Sequence, residues 1–274
     1  MAAFSFEFFP PKTDEQRAQL DQTAAQLLAW HPDYVSVTFG AGGSTLSYTA
    51  ETAQHLKQTH GLKVAPHLSC MGGSRAEIAA LLDQYRTAGF RRIVALRGDL
   101  PSGMASPGDF RYAAELVRFI REHAGDQFHI EVAAYPETHP QAENAHADLR
   151  NFKAKVDAGA NGAITQYFFN PDAYFRFVDD VRKLGVNVPV VPGIMPIANY
   201  SQLQRFSDMC GAEIPRWIGK RMQAHGDDAA SIRALGAEVV AQLCRRLLDG
   251  GAPGLHFYTL NRVRATRAVL EQLD

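Results

Sequence analysis

The stretch Tyr34-Val35-Ser36-Val37-Thr38-Phe39-Gly40-Ala41-Gly42-Gly43-Ser44 decides how this chain folds. Its first six residues alternate at the period of a strand, a glycine-rich loop follows, and Thr45 to Thr59 reads as a helix. The same unit recurs on both sides. Toward the N-terminus, Phe4 to Phe9 forms a strand ended by Pro10 and Pro11, and Thr13 or Asp14 caps a helix to about Trp30. Toward the C-terminus, strands are expected at Lys63 to Leu68, Arg92 to Leu96, Phe128 to Ala134, Gly162 to Gln166 and Val188 to Pro192. The helices between them run from Ser74 to Ala88, from Asp109 to His123, from the Tyr135-Pro136 turn through Val156, and from Pro171 to Leu184. A helix at Asn199 to Met209, a helical insertion at Ile214 to His225 and a long helix at Asp227 to Leu248 precede the last strand, Leu255 to Tyr258. Asn261 is expected to cap a terminal helix to Leu273. Eight strands alternating with helices in 274 residues predict a single-domain (β/α)8 TIM barrel of the α/β class, residues 1–274, with a helical insertion before the last strand. A doubly wound sheet is the alternative.

Composition narrows the partner. With 46% hydrophobic and 21% charged residues and a formal net charge of −1, the chain has an ordinary globular balance and no basic block for nucleic acid or an anionic membrane. A small-molecule partner is expected. Cys70, Cys210 and Cys244 lie too far apart for a paired motif, which fits a reducing cytoplasm. No apolar run approaches the ~20 residues of a membrane span, and no basic and apolar leader precedes the first strand. The ten histidines include no H-E-x-x-H, so no metal site is expected.

In a (β/α)8 barrel the chemistry gathers at the C-terminal ends of the strands. The polar residues there are Glu7, Thr38, His67, Arg97-Gly98-Asp99, Tyr135 with His139, Gln166, and Tyr258 with Asn261-Arg262. Glu7, a carboxylate set among the phenylalanines of Phe4-Ser5-Phe6-Glu7-Phe8-Phe9, is a candidate to hold a proton near neutral pH and donate it. Alternation, however, sends the phenylalanines outward and puts Glu7 with Ser5 on the lumen face, so its acidity would rest more on bound ligands and on Asp99. Asp148, Asn151 and Lys155 share one face of the helix expected from near His139 and could hold a polar, phosphate-bearing cofactor. The glycine loop carries neither a Rossmann fingerprint nor a P-loop, because Thr45 replaces the last glycine and no Gly-Lys-Ser/Thr is present.

Read together, Phe4 to Lys12, Ala65-Pro66-His67-Leu68, Ile93 to Asp99, Ala133 to Glu137, Lys155 to Ala160, Ile164-Thr165-Gln166 and His256 to Arg262 resemble the bacterial-type, flavin-dependent methylenetetrahydrofolate reductase family over nearly the whole chain. The resemblance implies a barrel holding FAD and reducing 5,10-methylenetetrahydrofolate with electrons from NADH or NADPH in a ping-pong cycle. It implies Glu7 as general acid toward folate N10 and Asp99 as the partner of the folate cation. It places Gln166, Gln202, Phe206, Tyr258 and Arg262 around folate and nicotinamide. It assigns FAD to Thr38, His67, Arg97, Gly98, Asp99, Tyr135, His139, Asp148, Asn151 and Lys155. It further implies a cytoplasmic enzyme without a C-terminal regulatory domain, and it is compatible with a homo-oligomer. A folate-binding barrel without flavin, or a subunit fed by a partner protein, are the competing readings.

Overall fold

The computed structural model describes residues 3–39, 45–71, 73–98 and 108–273, with backbone alone at 45–47. Nine parallel strand segments stand in one sheet: β1 Ala3–Phe8, β2 Tyr34–Val37, β3 Val64–Ser69, β4 Arg92–Leu96, β5 His129–Ala134, β6 Gly162–Thr165, β7 Val190–Val191, β8 Gly193–Ile194 and β9 Gly254–Tyr258. Their spatial order, β7-β6-β5-β4-β3-β2-β1-β9-β8, follows the chain and wraps from β1 onto β9. A doubly wound sheet would reverse direction at a switch point, and this order has none. The result is a nearly closed (β/α)8-type barrel.

Closure runs through Pro192. The expected seventh strand is split there, because proline has no N–H to give a ladder. β7 pairs with β6 through Ala163 and Val190, whereas β8 pairs with β9 through Gly193 and His256. The Pro192 carbonyl accepts from the His256 amide at 3.0 Å, so the break itself carries part of the seam.

The helices α1 Asp14–Leu27, α2 Thr45–His60, α3 Arg75–Thr87, α4 Ala113–Ala124, α5 Ala145–Asp157, α6 Pro171–Lys183, α7 Tyr200–Cys210, α8 Arg216–Ala224, α9 Ala229–Asp249 and α10 Val263–Leu270 accompany the strands. Most starts carry a side-chain cap: Thr13, Ser74, Asn144, Asn170, Asn199 and Asp228 each accept from a first-turn amide. The main core lies between barrel and helices, where Phe6, Phe8, Val35, Val37, Ile93, Ile130 and Val132 are buried. A small second cluster, Tyr34, Ala65, Val94 and Ile164, fills the lumen. Period-2 alternation thus sorts each strand between the two cores.

Three expectations are corrected. The helix expected from Asp109 begins at Ala113, since the Asp109 carboxylate instead accepts from the Arg75 amide and Phe110 is buried. The long helix expected after Pro136 is a loop containing Thr138 at φ 74, and α5 starts only where Asn144 caps it. Asn261 does not cap the last helix: Arg262 stands at that position, and the Asn261 side chain is engaged elsewhere.

Candidate active site

Glu7 ends β1 on the lumen side, 8% exposed. Its Oε2 lies 3.4 Å from His256 Nε2 and 3.4 Å from His67 Nε2. Burial pushes the Glu7 pKa up, but the hydrogen bond from His256 and the electrostatic influence of the adjoining His67 and His256 rings outweigh it, leaving the carboxyl below its ordinary value. The aromatic surroundings therefore do not set its acidity. Phe6 and Phe8 point outward into the helix-side core, as the alternation requires.

The end of β1 is latched by the segment after β9. Thr259 Oγ1 donates to the Glu7 carbonyl at 2.6 Å. The Asn261 side chain accepts from the Phe9 amide at 2.8 Å and donates to the Phe9 carbonyl at 2.9 Å. This grip needs Leu260 and Asn261 at φ 52 and 54, a left-handed backbone that asparagine tolerates and leucine resists.

Two adjoining clefts open at this mouth. The lumen cleft, about 430 Å³, is lined among others by Glu7, Thr38, His67, Gln166, Phe206 and Tyr258. The side cleft, about 590 Å³, is lined among others by Arg97, Gly98, His139, Asp148, Asn151 and Lys155. Leu96, Ala133 and Tyr135 belong to both, so the two spaces are neighbours.

Local geometry explains the lining. Gly98 sits at φ 76, and a Cβ there would come within 2.0 Å of Ser69 Oγ, so only glycine lets the chain turn after β4. Lys155 Nζ donates to the Ala133 carbonyl at 2.6 Å, and burial pushes its pKa down to about 8 against the opposing charge of Asp148. Asp148 accepts from the His139 amide at 2.9 Å, and the rings of Tyr135 and His139 meet edge to face at 4.4 Å. Gly193 lets the Tyr258 ring cross the seam, where its hydroxyl donates to the Thr165 carbonyl at 2.7 Å.

Most residues singled out from the sequence therefore converge. Gln202 lies one turn before Phe206 on α7, and Arg262 is exposed at the start of α10; neither lines the clefts among the described residues. Asp99, the Gly40 to Ser44 loop and residues 101–107 lie outside the described residues. Sequence reading did not single out His256, although its place two residues before Tyr258 on one strand put both on the lumen face. Met209 and Cys210, which also line the lumen cleft, gave no signal because only the packing of α7 brings them over the mouth.

A parallel barrel with a buried carboxylate at the C-terminal mouth, beside a second cleft of larger volume, is the architecture of the (β/α)8 enzyme class. The methylenetetrahydrofolate reductase family model matches residues 1–274. The 5,10-methylenetetrahydrofolate reductase of Salmonella typhimurium is 42% identical over 269 residues, covering 98% of this chain and 90% of that protein. Methylenetetrahydrofolate reductase (NADH) 1 of Arabidopsis thaliana is 37% identical over 284 residues, covering 99% of this chain and 48% of that protein. Among solved structures, an uncharacterised Clostridium thermocellum protein that binds two copies of 5-methyl-5,6,7,8-tetrahydrofolic acid superposes with a TM-score of 0.70 at 16% identity, covering 99% and 94% of the two chains, a likeness of fold. The chain belongs to the methylenetetrahydrofolate reductase family, and it is an oxidoreductase of one-carbon folate chemistry.

Proposed function

We propose that this chain reduces 5,10-methylenetetrahydrofolate to 5-methyltetrahydrofolate with electrons from NADH or NADPH, using FAD held along the side cleft with its ring system reaching the lumen cleft, and Glu7 as general acid in the lumen cleft. The observation that carries this reading is the shared wall at Leu96, Ala133 and Tyr135, which sets a buried carboxylate beside a second cleft of about 590 Å³ lined by Arg97, His139, Asp148, Asn151 and Lys155. The residues fit FAD. Thr38 Oγ1 and His67 Nε2 are buried at the lumen cleft without a hydrogen-bond partner among the described residues, as the polar edge of a ring system would require. Arg97, His139, Asp148, Asn151 and Lys155 supply donors and charge along the rest of the cleft.

When bound, FAD supplies the hydride chemistry that links nicotinamide oxidation to folate reduction. The chain supplies position and protons. Glu7 gives a proton to folate N10 as the five-membered ring opens, and Asp99 stabilises the cation at N5. Gln166 hydrogen-bonds the pterin, Phe206 offers a stacking face, and Tyr258 walls the opposite side. Gln202 and Arg262 complete the shared folate and nicotinamide site from the starts of α7 and α10. One lumen cleft of about 430 Å³ admits folate and nicotinamide in turn, which gives a ping-pong cycle.

The test separates the two halves. Glu7→Gln should slow folate-dependent flavin reoxidation by about 10²-fold or more while nicotinamide-dependent flavin reduction persists, as read by anaerobic stopped-flow absorbance. Equal loss in both halves rejects the acid role. A protein that takes up no flavin on incubation with FAD rejects the reading as a whole.

A further inference from the structure

Two imidazoles face the same oxygen of Glu7, and they are not equivalent. His67 lines the lumen cleft, whereas His256 is fully buried below it and lines neither cleft. The His256 ring stacks on Tyr34 at 6.3 Å and meets the Tyr258 ring edge-on at 5.4 Å. Its Nδ1 lies 2.7 Å from Ser5 Oγ, so both of its nitrogens have partners on β1. The ladder dictates this: Ser5 pairs with His256 and Glu7 with Tyr258, so the imidazole rises between two lumen-facing side chains of β1.

We propose that His256, oriented by Ser5, is a positioning residue for Glu7: it fixes the carboxyl toward the lumen and keeps it able to release a proton despite burial. This rests on the acid role proposed for Glu7, although the first readout below is independent of that role. With the Ser5 hydroxyl donating to Nδ1, the ring proton resides on Nε2 and is donated to the Glu7 carboxylate. Such a donor favours the anion that remains after proton delivery.

The other groups facing Glu7 cannot replace it. His67 from β3 faces the same oxygen at 3.4 Å but makes no hydrogen bond to it, and burial pushes its pKa down to about 4. Tyr34 from β2 and Tyr258 from β9 are pushed up by burial, keep their protons and bring no charge. The Ser36 hydroxyl from β2 is buried and makes no hydrogen bond to Glu7 among the described residues. Without His256, desolvation would dominate and Glu7 would retain its proton to higher pH. His256 reaches no ligand, so its effect is exerted through Glu7 alone.

The test is an infrared titration of the flavin-depleted protein, with the Glu7 carboxyl band assigned by its loss in Glu7→Gln. In His256→Leu the Glu7 midpoint should rise by about one pH unit or more. In Ser5→Ala, which frees the tautomer, the rise should be smaller, and in His256→Gln, whose amide still donates, it should partly revert. The pH optimum of folate-dependent turnover should move upward in the same order. An unmoved Glu7 midpoint in folded His256→Leu overturns the assignment; if that variant does not fold, an unmoved midpoint in Ser5→Ala does so. A moved midpoint with an unchanged turnover profile overturns the catalytic consequence. Should Glu7→Gln itself leave folate reduction intact, the acid reading fails, and the titration still decides whether His256 governs Glu7.

Discussion

The Asn261 side chain, with Thr259 beside it, holds the end of the strand that carries Glu7. It makes two hydrogen bonds to the Phe9 backbone from a left-handed conformation. Asn261→Ala removes both bonds, each worth about 1 kcal/mol, and places a Cβ-bearing residue of poorer αL tolerance at φ 54. The expected outcome is a loss of about 2–3 kcal/mol in urea unfolding, accompanied by a fall in folate turnover larger than the fall in flavin reduction. Turnover unchanged in a destabilised protein would mean that the latch does not position Glu7. Glu7 itself shows how far burial can mislead. Its pKa is lowered because two particular imidazoles face it, even though desolvation pushes the other way.

At the scale of elements, the seam β7-Pro192-β8 joins barrel closure to the site. A strand broken by proline lets one half follow β6 and the other follow β9, and Gly193 just beyond it lies against Tyr258. A Cβ at Gly193 would meet the Thr165 carbonyl at 2.1 Å and the Tyr258 ring at 2.7 Å. Gly193→Ala should therefore cost about 1–3 kcal/mol through overpacking and displace Tyr258 from its bond to Thr165. Folate KM should rise several-fold, and a similar rise in Tyr258→Phe, which lacks the bond to Thr165, would trace the effect to loss of that bond. A KM that stays at the wild-type value in Gly193→Ala would show that Tyr258 does not border the substrate.

Across the whole molecule, the barrel separates a catalytic mouth from a structural one. Toward the N-terminal ends of the strands, Glu131 is 4% exposed and is held by Arg92 Nη1 and, at 2.9 Å, by His129 Nε2. Arg92 also covers the Tyr34 ring at 4.4 Å. Removing one partner of a buried ion pair strands the other charge, so Arg92→Met should cost about 3 kcal/mol in denaturant unfolding. Adding Glu131→Gln should recover a large part of that loss, because the uncompensated charge disappears. Strictly additive losses in the double variant would show that the two residues are not energetically coupled.

Much of this was legible in the chain itself. Alternation marked nearly all strands, Arg92–Leu96 among them, and turn chemistry marked the Thr13 cap, whereas the Asn144 cap and the true start of the last helix at Arg262 were not read from the sequence. Polar residues at strand ends marked many of the residues that line the two clefts, because a barrel gathers strand ends whatever their distance in sequence. The split seam at Pro192, the Asn261 latch on Phe9 and the pairing of His256 with Ser5 and Glu7 join residues about 250 positions apart or depend on which strand lies alongside. Local sequence thus determined which segments are strands, which face of each meets the lumen, and where polar groups stand at the ends. Only closure of the sheet decided that β9 lies against β1, and with that contact the partners of Glu7 and the sign of its pKa shift.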